Sequence, residues 1–326
     1  MAVSVPQNRP SRQDRRSRSD RPRLEGQRPA LPSPPAPGRR RIVYAQNFLR
    51  ESRIAARVLD VSSIGAQDVV YEIGPGEGVI TEELARRCRH VVAVEKDGRL
   101  AEQLRRRFAG RSNVTVFEHD FLEFPLPVTP YKVFANVPFN ITAAIVARLT
   151  GAPHPPQDAY LGMQREAAER FTGHPAETLS AVRLKPWFEP GVVHHFARTD
   201  FEPAPGVDVV MLRLRKRGPP LLGANEARGY GDFVTFGFTA WRPSLGHTLA
   251  RVFSREQLEH IKRQLGIDLR RTPAEVPFES WLALYRYFVK VAPQDAWRQI
   301  AGAEARLRRQ QATLSKVHRT RRGARD

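Results

Sequence analysis

The chain of 326 residues has a single cysteine, Cys88. One thiol cannot form an internal disulfide, so the fold must rest on its apolar core, which suits the reducing cytosol. No run of about 18 apolar residues occurs, which excludes a membrane-spanning helix. The first residues lack a continuous apolar stretch, which argues against a secretory signal. Their arginines imitate an organellar transit peptide, but the many prolines leave no clear amphipathic helix. Internal repeats are absent too. Acids are scarce: 34 Asp and Glu stand against 53 Lys and Arg, a formal net charge of +19. A soluble protein this basic usually meets a polyanion.

The charge is unevenly placed. Residues 1–41 hold 11 Arg and 3 acids, and residues 298–326 hold 9 Lys or Arg and 2 acids. Segment 29–38 is built almost entirely of Pro, Ala, Ser and Gly, cannot make a core, and is expected to be disordered. Both ends read as basic tails, serving either as loose RNA-binding arms or as solvated extensions.

Between the tails the pattern alternates. Val69–Ile73, Val91–Glu95, Val114–Glu118 and Lys132–Asn136 are short β-branched or aromatic runs between turn signals. Ala159–Met163, Val192–Ala197 and Val209–Leu214 are further candidate strands. Ile80, Leu84 and Cys88 fall at helical spacing, as do Leu100, Leu104 and Phe108. Such alternation predicts an α/β fold with a mostly parallel sheet covered by helices on both faces. After Arg217-Gly218-Pro219-Pro220 only helical patterns remain, with apolar stripes at Leu258, Ile261 and Leu265, and at Phe278, Trp281, Leu282, Tyr285 and Phe288. The expected organisation is a tail over 1–41, an α/β domain over 42–217, a helical RNA-binding domain over 218–297 and a second tail over 298–326.

The most informative segment is Val69 to Gly78, where a strand runs into Gly74-Pro75-Gly76-Glu77-Gly78. Glycines let a backbone turn sharply and approach a ligand with no Cβ in the way. In dinucleotide folds the third glycine comes one residue later, and the turn faces a pyrophosphate. Here Pro75 removes an N–H donor, while Glu72 and Glu77 add negative charge. Acids suit a cationic sulfonium cofactor with an amino-acid tail better than a phosphate. Glu95, ending the next strand, is placed to take ribose hydroxyls. Asp97 is an alternative for that role, although it fits a helix N-cap better. Asp120 follows the third strand and can accept from an adenine amino group, with Phe121 against the ring. All lie at carboxyl ends of adjacent strands, where open α/β sheets bind ligands.

Asn136-Val137-Pro138-Phe139 ends the fourth strand. The lone pair of adenine N6 is delocalised into the ring, so the amine is a poor nucleophile. Two acceptors, the Asn136 side-chain oxygen and the Val137 carbonyl, would hold the amine so that its lone pair faces a methyl group. Pro138 keeps the residue before it extended, and Phe139 can stack on the base. Positioning and electrostatics then carry the displacement, and the target base must leave its stack to enter.

These residues resemble the Erm family, adenine-N6 methyltransferases of 23S ribosomal RNA, over roughly residues 41–291. Gln46-Asn47-Phe48-Leu49 is similar to the family's first cofactor motif, and Glu72 to Gly78 to its glycine loop. Glu95 matches its ribose acid, Asp120 its adenine contact, and Asn136 to Phe139 its catalytic motif, which often carries Tyr where this chain has Phe139. Phe201 opens a segment running to Asp208 that resembles the family's F-x-P-x-P-x-V-D motif, whose aromatic helps clamp the target adenine. The resemblance implies a Rossmann-like class I methyltransferase domain with a small helical C-terminal domain. It implies that Gln46, Asn47, Leu49, Glu72, Gly74, Gly76, Glu95, Asp120 and Asn136 contact S-adenosyl-L-methionine, and that Phe139 and Phe201 clamp the base. It further implies a cytoplasmic enzyme that methylates one adenine near the peptidyl-transferase centre, before full ribosome assembly, and so confers macrolide-lincosamide-streptogramin B resistance.

Other residues carry less. His194-His195 has no second cluster at metal-ligand spacing. Cys88 lies on an apolar stripe and reads as core. Trp187, Phe188 and the aromatics of 278–288 read as packing rather than base platforms, and Arg148, Arg165, Arg170 and Arg183, which could line an RNA groove, read one by one as solvated charges. Two rival functions stand beside the first. One is the related small-subunit dimethyladenosine transferase. The other is a nucleic-acid-binding protein without chemistry, which predicts damaged cofactor motifs, and none is damaged.

Overall fold

The structure is a computed structural model that describes residues 48–49, 52–239 and 244–313. The expected contacts Gln46 and Asn47 lie outside the described residues, as does the whole of the expected first tail.

A seven-stranded sheet forms the centre. Its strands are β2 (Val69–Ile73), β3 (His90–Glu95), β4 (Val114–Glu118), β5 (Lys132–Asn136), β6 (Asp158–Gln164), β7 (Phe188–Phe196) and β9 (Val209–Lys216). They lie in the order β4-β3-β2-β5-β6-β9-β7. Neighbours from β4 to β6 pair in parallel, and β9 runs antiparallel to both β6 and β7. A separate two-stranded ribbon joins β1 (Phe48–Leu49) to β8 (Phe201–Glu202).

Both faces of this sheet are covered, so its strands are apolar almost throughout rather than alternating. Val70, Val91, Phe134 and Tyr160 face one side, against Ile54, Val58 and Leu59 of α1 (Ser52–Asp60) and Ile80 and Leu84 of α2 (Val79–Arg87). Val92, Val94, Val133, Ala135 and Leu161 face the other, against Ile145, Val146 and Leu149 of α4 (Thr142–Thr150). Cys88 is buried in the first of these layers, where loss of solvation pushes its thiol up to about 11.

The strand β7 begins at Phe188, four residues before the alternation from Val192 suggests. Phe188-Glu189-Pro190-Gly191 reads as a turn by composition. Pairing with β9 overrides that, placing Glu189 opposite Arg215, where its carboxylate takes both Arg215 and Arg217. Pro190 is tolerated because β7 is an edge strand.

Beyond the sheet, α7 (Ala227–Thr239), α8 (Leu245–Leu249), α9 (Arg255–Gln264) and α10 (Phe278–Val291) pack around Trp281, Tyr230, Tyr285, Phe233 and Phe288. This cluster also takes in Val182 of α6 (Leu179–Leu184), and the Tyr230 hydroxyl donates to the Val182 carbonyl at 2.9 Å. The helical layer is therefore continuous with the α/β part.

The expected tail from residue 298 needs correction. The chain continues as α11 (Gln294–Ile300) and α12 (Ala303–Thr313), with Ile300 and Ala303 buried. The cause is a buried carboxylate: Asp232 accepts from the backbone N–H of Gly302 at 2.8 Å and of Glu304 at 3.0 Å, capping α12. Glu304 in turn pairs with Arg183 of α6. The composition of 298–313 is that of a solvated tail, and only this acid 66 or more residues earlier tells otherwise. Asp232→Ala should therefore lower stability by about 1–2 kcal/mol in urea unfolding and expose residues 303–313 to proteolysis. An unchanged cleavage pattern would remove the capping role.

Candidate active site

The glycine turn links β2 to α2, and its three alternating glycines all adopt left-handed backbone. Gly74, Gly76 and Gly78 have φ of 63°, 59° and 83°. Side chains resist that region, which explains the spacing. At Gly78 a Cβ would also lie 2.8 Å from Leu104 and 2.9 Å from Phe108, so this glycine packs α2 against α3 (Gly98–Arg107). At Gly74 a Cβ would meet nothing within 4 Å, so the turn there borders open space.

Two carboxylates are buried beneath the turn. Glu72 is 1 % exposed and Glu95 2 %. Glu95 accepts from the N–H of Gly76 at 3.1 Å and of Asp97 at 2.9 Å, and so braces the turn from the neighbouring strand. Asp97 itself caps α3 by accepting from Arg99 and Leu100. One oxygen of Glu72 accepts from the Thr81 hydroxyl at 2.6 Å. The other, Oε1, is buried with no hydrogen-bond partner among the described residues. Burial, with a smaller push from the Glu95 charge, raises the Glu72 carboxyl to about 8. A buried acceptor without a partner is costly, and a cationic ligand is the chemistry that relieves it.

Asp120 sits at the next strand end. It is paired with Lys96 at 2.6 Å and accepts from the Leu122 N–H at 2.9 Å. The Lys96 hydrogen bond, then the Leu122 N–H, hold its carboxyl below the usual range.

Asn136 ends β5, which lies directly beside β2 with Ile73 opposite Ala135. The strand order reverses between β2 and β5, which makes this crevice the topological switch point of the sheet. The Val137 N–H donates to the Gly162 carbonyl at 3.0 Å, and the Pro138 carbonyl accepts from Ile141 at 3.1 Å, closing the turn into α4. Phe139 is half-buried against the layer that contains Phe201. The two expected clamp residues differ: Phe201 is only 2 % exposed, with its ring 5.1 Å from that of Phe196. Stacking on a base requires Phe201 to be uncovered first. Leu49 is brought to the same place, since it pairs with Phe201 across the β1–β8 ribbon.

Two contributors were not singled out in the sequence. Thr81 looks like an ordinary helix residue, and nothing local shows that it faces Glu72. Gly162 is the register partner of Asn136, and a Cβ there would lie 3.2 Å from Asn136 Oδ1, so the carboxamide rests over it. A glycine inside an apolar strand is the available signal for such close approach.

The arrangement is a cation-suited cradle next to an amide and an aromatic ring. Residues 38–290 match the family described as ribosomal RNA adenine dimethylase. The chain belongs to that family. An rRNA adenine N-6-methyltransferase of Aeromicrobium erythreum is 35% identical over 82% of this chain and 80% of its own length. One of Saccharopolyspora erythraea is 34% identical over 87% of this chain and 74% of its own. A small subunit methyltransferase A of Acaryochloris marina is 30% identical over 74% of this chain and 94% of its own. Among solved structures, the 23S rRNA methyltransferase ErmE superposes with a TM-score of 0.70 at 34% identity, covering 74% of this chain and 100% of that one. The chain is accordingly an S-adenosyl-L-methionine-dependent rRNA adenine N6-methyltransferase with a Rossmann-like fold.

The raised Glu72 carboxyl has a consequence for stability. Its folded value of about 8 lies above the ordinary 4.5 of an unfolded glutamate, so the folded state holds a proton that the unfolded state releases first. Stability is then lost as pH rises from about 4.5 through about 8. Urea unfolding of the wild type and Glu72→Gln across this range should show the wild type losing ground to the variant. Parallel curves would contradict the assignment.

Proposed function

We propose that this enzyme transfers methyl from S-adenosyl-L-methionine to N6 of one adenine in the peptidyl-transferase loop of 23S rRNA, conferring resistance to macrolide, lincosamide and streptogramin B antibiotics. The observation that carries the 23S target is the match to ErmE, whose entire chain is covered at 34% identity. RNA free of the assembled ribosome is the form in which this loop is accessible to such a pocket. No helix among the described residues is long and apolar enough to cross a membrane, and we assign the enzyme to the cytoplasm, where this RNA is made.

The residues divide the work as follows. Glu72 would hold the cationic amino-acid end of the cofactor, beside the backbone of Gly74 and Gly76, and the buried Glu72 oxygen and the open space at Gly74 fit that group. Glu95 keeps acceptor capacity for ribose hydroxyls after bracing the turn, because a carboxylate offers about four lone-pair sites. Asp120 would take the adenine amino group, and Gln46, Asn47 and Leu49 would close the pocket from the N-terminal side. The bound cofactor supplies an electrophilic methyl group on a sulfonium. Asn136 and the Val137 carbonyl accept the two N6 hydrogens and turn the nitrogen lone pair toward that methyl. Pro138 fixes the turn, Phe139 stacks on the base, and Phe201 forms a second wall once uncovered. No strong base is needed at N6, because the proton becomes acidic only as the new bond forms.

A second reading, methylation of small-subunit rRNA, is favoured by the Acaryochloris marina relative at 30% identity. Labelled S-adenosyl-L-methionine with protein-free large- and small-subunit RNAs separates the two. We expect label at one adenine of the peptidyl-transferase loop, mapped by primer extension, and label in small-subunit RNA alone would overturn the 23S target. Asn136→Ala should lower turnover by at least 100-fold, about 2.7 kcal/mol of transition-state stabilisation, while cofactor affinity measured by calorimetry falls far less than turnover. Retained turnover would take Asn136 out of the mechanism.

A further inference from the structure

The helical layer carries an aromatic feature that the methyl-transfer site does not use. The imidazole of His260, on α9, lies face to face on the Tyr287 ring of α10, with centroids 4.7 Å apart and planes 11° from parallel. Tyr287 is stacked in turn on Phe253, at 5.8 Å and 21°. Phe253 is buried, Tyr287 half-buried and His260 exposed. The three rings therefore form a column rooted in the core at Phe253, which also meets Phe288 edge-on at 5.6 Å. The column ends at the surface in an imidazole with one face already covered. Gln257 donates to the Val291 carbonyl at 3.3 Å and holds the two helices together at this point.

The charges around the column favour an anion. Arg263 lies one helical turn from His260, and Lys290 one turn from Tyr287, on the same faces. Lys290 is exposed and has no ion pair among the described residues. Of the nearby acids, Glu259 is paired with Lys262 at 2.7 Å and with Arg263 at 3.9 Å, while Glu256 keeps its charge, accepting from the Ser254 hydroxyl at 2.7 Å, and is outnumbered by Arg255, Lys262, Arg263 and Lys290. A flat π-face with cations at its rim is the chemistry that takes an unpaired nucleobase and its phosphates. A packing role alone does not require an exposed ring to lie parallel on its neighbour, since aromatic pairs settle as well edge to face.

We propose that the Phe253–Tyr287–His260 column is a docking platform for an unpaired base of the RNA substrate, stacked on the outer face of His260, with Arg263 and Lys290 on the flanking phosphates. The proposal rests on an RNA substrate and is indifferent to which ribosomal subunit supplies it. The platform holds the RNA through one base away from the pocket and adds affinity without entering the chemistry.

The test uses the full chain with protein-free large- and small-subunit RNA fragments, measuring equilibrium binding at several salt concentrations. Methylation by the wild type is mapped separately. His260→Ala should weaken binding roughly 5-fold or more, leave the salt dependence unchanged and leave turnover at saturating RNA as in the wild type. His260→Phe, which keeps a stacking face, should bind within about 2-fold of wild type. Lys290→Ala should lower the slope of log affinity against log salt by about one. Wild-type affinity in His260→Ala would overturn the platform, as would an equal loss in His260→Phe. Because binding is read directly, a wild type that labels only small-subunit RNA would refute the 23S target without touching this result.

Discussion

The structure around the pocket depends on two carboxylates buried side by side beneath a left-handed glycine turn. Glu95 uses both oxygens on backbone N–H groups, one in the turn and one at the entry to α3. Glu72 uses one oxygen on Thr81 and leaves the other unmatched. Burial disfavours the charge on Glu72, with a smaller push from the neighbouring Glu95, and protonating Glu72 is one relief. The geometry singles out Glu72 for that, since its neighbour is better supplied with donors. A cationic cofactor is the alternative relief, so a single constraint ties the turn, the acids and the cofactor class together.

The second requirement is proximity, and the sheet meets it through strand order. Because β5 lies next to β2, the end of the cofactor strand and the end of the Asn136 strand open into one crevice. Asn136 then faces a neighbour with no side chain, Gly162, whose carbonyl also fixes the Val137 peptide. Catalysis that relies on positioning needs rigid elements under the positioned groups. Here those elements are central strands buried on both faces. The helical layer supports them from one end: its core takes in Val182 of α6, and the Arg183–Glu304 pair ties the last described helix to the same element.

Much of this was legible along the chain, because parallel strands and amphipathic helices have periodicities that survive without tertiary information. Strands at Val69–Ile73, Val114–Glu118 and Lys132–Asn136 have the bounds that their apolar runs suggest. Where the reading failed, a distant partner had overridden local composition. Phe188 to Gly191 is strand because Arg215 and Arg217 stand opposite Glu189. Residues 303–313 are a docked helix because Asp232 caps them. Phe201, which the resemblance gives as a clamp, is buried, with the Phe196 ring 5.1 Å away, and its motif alone does not tell that.

By itself, the sequence determined the kind of chemistry. Three alternating glycines, acids where a phosphate binder would have none, and an Asn-Val-Pro-Phe turn are local facts, and local sterics and charge suffice to interpret them. What only the tertiary structure decided is which groups meet. That Thr81 satisfies half of Glu72, that Gly162 lies under Asn136, and that His260, Tyr287 and Phe253 form one column all depend on contacts between elements far apart in the chain. Such contacts leave no period in the sequence, because packing acts between surfaces and each surface is only half specified by its own segment.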